Sequence, residues 1–212
     1  MQAEASPADP TSLPIKILVL GDGSVGKTAL IRKLVRDEFT SRYKATTGVD
    51  FALKELDVDG QVVRLQLWDV AGSESGLGSI AKIYYKNAFG AILVYDVTRP
   101  STFDTVVAWK REIDDKVVLN NDEPVPVVLL GNKCDIETAT ADTAELDRFC
   151  GEHGFVAWFD VSAKSGFNIE EGCACLVQKI LSYPGLFETR YAENAAFRPA
   201  SAFAEDTSSG CY

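Results

Sequence analysis

Residues 15–28 read Ile15-Lys16-Ile17-Leu18-Val19-Leu20-Gly21-Asp22-Gly23-Ser24-Val25-Gly26-Lys27-Thr28. The opening run is short, apolar and rich in branched side chains, as in a strand buried on both faces. The glycines then break it, and helical periodicity begins at Lys27 and runs to Arg36. A strand, a glycine-rich turn of the form G-x-x-x-x-G-K-[ST] and a helix together suit a bound phosphate. Glycine lets the loop wrap closely around an anion. The loop N–H groups and the positive end of the helix favour a β-phosphate, Lys27 neutralises β and γ oxygens, and the Thr28 hydroxyl suits Mg²⁺. Gly21, Gly23 and Gly26 also satisfy G-x-G-x-x-G, the dinucleotide fingerprint, with Glu38 at about the distance of a ribose partner. Lys27 and Thr28 at the helix start favour a triphosphate with Mg²⁺ instead, and the next strand comes late and reads as half a hairpin. The plain alternative is a glycine-rich turn followed by a surface lysine.

Outward from this segment, apolar runs at 91–95, 125–130 and 155–159 alternate with helical periodicity at 103–118, 142–152 and 169–182. That alternation predicts an α/β fold with helices on both faces of the sheet. Thr102, Asp142 and Asn168 stand where helix starts need caps. Val49–Val58 and residues 62–69, joined by Asp59-Gly60-Gln61, read as a hairpin that adds an antiparallel edge strand. The expectation is one domain over 15–182, with a six-stranded, mostly parallel sheet. Residues 1–14, with three prolines, are expected to be a flexible arm, and 183–212 a flexible tail.

Composition narrows the function. Of 212 residues, 46% are hydrophobic, and 21 Lys+Arg stand against 31 Asp+Glu for a net charge of -10. That balance argues against a nucleic-acid partner and against simple adsorption on anionic lipid. The five cysteines, at 134, 150, 173, 175 and 211, are odd in number and lack framework spacing, and residues 1–14 hold no apolar signal core. A reduced, cytosolic protein is expected. No apolar run reaches about 18 residues, so membrane association calls for a lipid or a partner.

Asn132-Lys133-Cys134-Asp135 follows the apolar residues 127–130, at the carboxyl edge where α/β ligands bind. With Ser162-Ala163-Lys164 after the last strand and Asp69-Val70-Ala71-Gly72 after the hairpin, it resembles the small GTPase family over residues 15–182. The resemblance implies the P-loop GTPase fold, with GTP or GDP and Mg²⁺ bound. The nucleotide contacts it implies are Gly21, Gly23, Ser24, Val25, Gly26, Lys27, Thr28, Phe39, Thr46, Gly72, Asn132, Lys133, Asp135, Ser162, Ala163 and Lys164. The chemistry agrees: the Asp135 carboxylate can accept from guanine N1–H and N2–H₂ while the Ala163 N–H donates to O6, and adenine reverses that polarity. The stems of Lys133 and Lys164 can cover base and ribose, Ser162 reads as a brace for the base loop, and by resemblance Phe39 closes the other side of the base.

For the metal, the resemblance implies Thr28 and Thr46 as direct ligands and Asp69 as a partner through water, a hard oxygen set that suits Mg²⁺. Thr46 lies in residues 40–48, a stretch that a γ-phosphate-bound metal could order and hydrolysis release. Gly72 would offer its N–H to the γ-phosphate, and Gly23 leaves room for water and a partner's arginine. Taken singly, Asp69 reads rather as a strand-end cap and Thr46 as a turn residue.

Thr47-Gly48-Val49-Asp50-Phe51, Arg64-Leu65-Gln66-Leu67-Trp68-Asp69 and Tyr84-Tyr85-Lys86 resemble the Rab branch. Residues 45–54, Val70, Ser101-Thr102-Phe103 and Trp109-Lys110 most resemble its thirty-two and thirty-eight subgroup. This implies a monomeric switch on the cytosolic face of endosomal or lysosome-related membranes, exchanging with cytosol. Its partners would be effectors, an exchange factor, a GAP and prenylation escorts. Phe51, Trp68 and Tyr84 would form the effector-reading aromatic triad, although strand aromatics are as often plain core.

The chain departs from the family after Gly72. Where a glutamine orients the attacking water, this chain has Ser73, and no glutamine occurs between 67 and 177. Counting to Tyr84 gives one residue more than the subgroup's pattern, and its customary arginine is missing. A serine hydroxyl is too short for the same reach, so the catalytic set Lys27, Gly72 and Ser73 predicts slow intrinsic hydrolysis, which a GAP supplying arginine and glutamine could restore. Glu74 taking over, or a GTP-holding scaffold that never cycles, are the alternatives. The tail ends Ser208-Ser209-Gly210-Cys211-Tyr212. Cys211 is a single candidate for lipidation, outside a C-a-a-X box, and one lipid anchors only reversibly.

Overall fold

The structure, a computed structural model, describes residues 14–42, 46, 48–71, 84–117, 119, 123–136 and 142–183. Elements β1 (Ile15–Leu20), α1 (Lys27–Arg36), β2 (Val49–Val58), β3 (Gln61–Val70) and β4 (Gly90–Asp96) come first. They are followed by α2 (Pro100–Asp104), α3 (Val106–Lys116), β5 (Val127–Asn132), α4 (Thr143–His153), β6 (Ala157–Val161) and α5 (Ile169–Leu181). Every residue of β1, β4 and β5 is buried, as their continuous apolar runs require.

The strands are ordered β2-β3-β1-β4-β5-β6. Among the described strands, the β2–β3 pair alone is antiparallel. From β1 the chain first moves to one edge, then returns through β4 to the other. Right-handed crossovers taken in opposite directions put α1 on one face and α2, α3 and α4 on the other. Helix α5 packs on α1 and on β2, β4, β5 and β6, completing the first face. The order reverses beside β1, so its carboxyl end opens at a topological switch point, where open α/β sheets bind ligands. Gly21 makes that turn with φ +131, and a Cβ on it would lie 2.1 Å from the Val94 carbonyl oxygen.

The hairpin turn is tighter than expected. Asp59 and Gly60 both have positive φ, the form whose twist matches the flanking strands, so Gln61 joins β3 and pairs with Val58. Strands β5 and β6 lie two residues later than the apolar runs suggest, because Gly131, Asn132 and Asp160 continue the ladder. Val125 and Phe155 are core residues outside it. The predicted helix over 103–118 is two, α2 and α3, and it begins at Pro100 with Thr102 inside rather than capping. The Thr102 hydroxyl donates to the Arg99 carbonyl and accepts from the Asp96 N–H. Asp142 caps α4 as expected. Asn168 precedes α5 in the left-handed region, but its amide donates to the Asp160 carbonyl and caps nothing. No described helix is long and apolar enough to cross a membrane.

Candidate functional site

The loop after β1 turns its carbonyls onto protein donors. The Lys27 ammonium donates to the carbonyls of Gly21 (2.7 Å) and Asp22 (2.8 Å). Arg99 reaches Gly23 at 3.0 Å, Lys133 reaches Ser24 at 3.1 Å, and the Asn132 amide reaches Val25 at 2.8 Å. The Gly26 carbonyl accepts from Leu30 N–H, starting α1. In a trans peptide, C=O and N–H point oppositely, so the Gly23, Ser24 and Val25 carbonyls, held by Arg99, Lys133 and Asn132, turn the N–H groups of the same peptides the other way, as a concavity for an anion needs. Gly26, with φ +103, has no room for a side chain, since a Cβ would meet the Asn132 amide at 2.3 Å. A Cβ on Gly23 would meet nothing within 4 Å, in keeping with the space expected there. Burial brings the Lys27 ammonium down to about 8, against the opposing pull of Asp69 and Asp22.

Three oxygen-bearing side chains converge at the start of α1 and the end of β3. The Thr28 and Thr46 hydroxyls are 2.8 Å apart, and Thr28 donates to Asp69 Oδ2 at 2.5 Å and Thr46 at 3.5 Å. Burial raises the Asp69 carboxyl above the usual range, despite the hydroxyls. Its Oδ1 is buried without a hydrogen-bond partner among the described residues. A hard cation would relieve that oxygen.

The base loops meet at the ends of β5 and β6. Ser162, fully buried, donates to Asp135 Oδ1 at 2.6 Å and accepts from the N–H groups of Lys164 and Ser165. The Ser162 hydrogen bond is the main reason the Asp135 carboxyl lies below the usual carboxylate range, and Lys164, 3.5 Å away, adds to it. The Ala163 N–H lies in the same loop and donates to Asn132 Oδ1 at 3.0 Å. Asn132 thereby joins this loop to Val25, whose carbonyl accepts from its amide. Phe39 lies beyond α1, largely exposed.

On the opposite side of the sheet edge, Phe51, Trp68 and Tyr84 come together, with centroids 6.0 Å and 6.4 Å apart. Phe51 is exposed, while the Lys16 ammonium lies 3.7 Å from the centroid of the Trp68 ring. Gly72, Ser73 and Cys211 lie outside the described residues.

Several residues of this site were not legible as such. Asp22 accepts from Trp109 Nε1 (2.8 Å) and the Thr105 hydroxyl (3.0 Å), tying the loop to α3. Asp96 and Arg99 anchor the loop from the end of β4. The available signal was weak: Asp22 occupies a variable place in its motif, and Asp96 is a polar residue ending an apolar strand at the carboxyl edge.

A phosphate-binding loop at the switch point of such a sheet, beside a hydroxyl–carboxylate cluster, defines a P-loop nucleotide-binding protein. Comparison with known proteins narrows the class. The Ras family model matches residues 16–182. Human Ras-related protein Rab-32 is 49% identical over 182 residues, covering 84% of this chain and 80% of that protein. Rab-32A of Dictyostelium discoideum is 51% identical over 170 residues (78% and 77%), and human Rab-7L1 44% over 167 (78% and 82%). The chain belongs to the Ras family, on its Rab branch near Rab-32, and is a GTPase that binds GTP and GDP. The dinucleotide alternative falls with this, and with β2 being antiparallel where that fold needs a parallel strand.

Proposed function

We propose that the chain is a switch of intracellular membrane traffic whose intrinsic GTP hydrolysis is slow. In this reading the phosphates lie against residues 21–28, with Lys27 neutralising β and γ oxygens. Asp135 selects guanine by accepting from N1–H and N2–H₂, a role that its depressed carboxyl supports. The stems of Lys133 and Lys164, with Phe39, flank the base.

Mg²⁺ fits the cluster of Thr28, Thr46 and Asp69, whose buried Oδ1 otherwise lacks a partner among the described residues. When bound, the ion would neutralise charge on the β and γ oxygens. The observation that carries the switch reading is this docking of Thr46, from the segment after α1, onto Thr28 and Asp69. It ties a residue between α1 and β2 to the side chains that would hold the ion, so a change at the γ-phosphate would be felt there. Phe51, Trp68 and Tyr84 would present the effector surface, and a lipid on Cys211 would give reversible attachment to the cytosolic face of an endosomal or lysosome-related membrane.

Slow turnover rests on Ser73 following Gly72, where the family has a glutamine. The same residue admits a second reading, a GTP-loaded scaffold that does not cycle. A Ser73→Gln variant separates the limiting role from a neutral one. Single-turnover hydrolysis at saturating Mg²⁺ is expected to quicken about tenfold or more, and no gain would remove Ser73 as the cause. Adding a Rab-directed GAP to the unaltered chain separates switch from scaffold: acceleration supports cycling, and none supports the scaffold.

A further inference from the structure

A loop that aims consecutive N–H groups at an anion must hold the opposite ends of the same peptides outward. The peptides Gly23–Ser24 and Ser24–Val25 are the demanding ones, because Ser24 has φ +64, a left-handed conformation unfavourable outside glycine. Their carbonyls are held by Arg99 (3.0 Å) and Lys133 (3.1 Å). Both are long side chains that are partly exposed, and left to themselves they would exchange such contacts for water.

What fixes them is one carboxylate. Asp96 Oδ2 accepts from Lys133 Nζ at 2.6 Å and Arg99 Nε at 2.9 Å. Its Oδ1 accepts from the Thr98 N–H (3.1 Å) and hydroxyl (2.7 Å). The side chain is wholly buried at the end of β4. Burial alone would raise its carboxyl, yet these hydrogen bonds hold it below the usual range. We propose that Asp96 is a positioning residue for nucleotide retention, acting through Arg99 and Lys133 to hold the Gly23 and Ser24 peptides with their N–H groups toward the phosphates. The proposal rests on the phosphates lying in the 21–28 loop.

The test uses the full chain loaded with a fluorescent N-methylanthraniloyl GDP, chased with excess GDP, for wild type, Asp96→Asn, Arg99→Ala and the double variant. Asp96→Asn is expected to speed dissociation about tenfold and Arg99→Ala less, since the first also releases Lys133. The double variant should dissociate no more than about twofold faster than Asp96→Asn, because the two act in one chain of contacts. A merely structural role would give effects that multiply, and that result overturns the proposal. So do rates within about twofold of wild type for Asp96→Asn. If Asp96→Asn does not fold, the partly exposed Arg99→Ala decides: faster dissociation supports the proposal and an unchanged rate overturns it. A wild-type chain that retains no labelled GDP overturns the underlying site reading as well.

Discussion

Lys27 shows how burial sets a residue up for one ligand. Buried, and with the Gly21 and Asp22 carbonyls as its hydrogen-bond partners among the described residues, its ammonium is brought down from 10.5 to about 8. The sign follows by linkage. Between these values the unfolded chain binds more protons, so the nucleotide-free protein gains stability as pH rises through that window. A polyphosphate holds Lys27 charged, so binding takes up a proton, and GDP affinity is expected to fall as pH rises above about 8. Calorimetry near that pH, in buffers of different ionisation heat, reads the proton directly. Lys27→Met should abolish the uptake and weaken GDP about a hundredfold, the scale of one charge-assisted contact in a buried site. At this scale Lys27, Thr28 and Asp135 were legible as candidates because they lie in contiguous motifs. Their supports were not. Arg99 and Trp109 reach the loop across more than seventy residues of chain, Asp96 stands behind Arg99, and no local pattern announces that reach.

At the scale of elements, α3 is coupled to the phosphate loop through the Trp109 indole on Asp22. Trp109→Phe keeps the apolar packing and removes the donor. GDP dissociation, followed by the same fluorescence chase, is expected to rise about threefold to tenfold. Helix α4 offers a separate test of local structure. The Asp142 carboxylate accepts from the Ala144 N–H at 3.0 Å, so Asp142→Ala should cost about 1 kcal/mol in urea unfolding while leaving nucleotide dissociation unchanged. Element identity was legible because apolar runs and helical periodicity survive as local signals. Boundaries failed where tertiary contacts overrode them. Gly131 and Asn132 stay in β5 because the Asn132 side chain is fully engaged at both ends. Thr102 ended up inside a helix because its hydroxyl was needed beneath Asp96.

For the whole molecule, the sheet order brings the ends of β1, β3, β4, β5 and β6 to one edge, and the loop, cluster and base contacts all fall there. Fold and location of the site were both readable, because a strand–loop–helix motif at the first strand of an alternating α/β chain leaves few arrangements. The bond from the Ala163 amide to Asn132 was not, since it depends on how β5 and β6 meet. The measurement that bears most directly on the whole account is the nucleotide carried by the purified protein, released by denaturation and separated by ion exchange. About one guanine nucleotide per chain, with GTP the larger part, is the result predicted by the proposal that Asp135 selects the base and Ser73 slows the turnover. An adenine nucleotide or an empty chain would contradict the base site, and GDP alone would contradict slow hydrolysis.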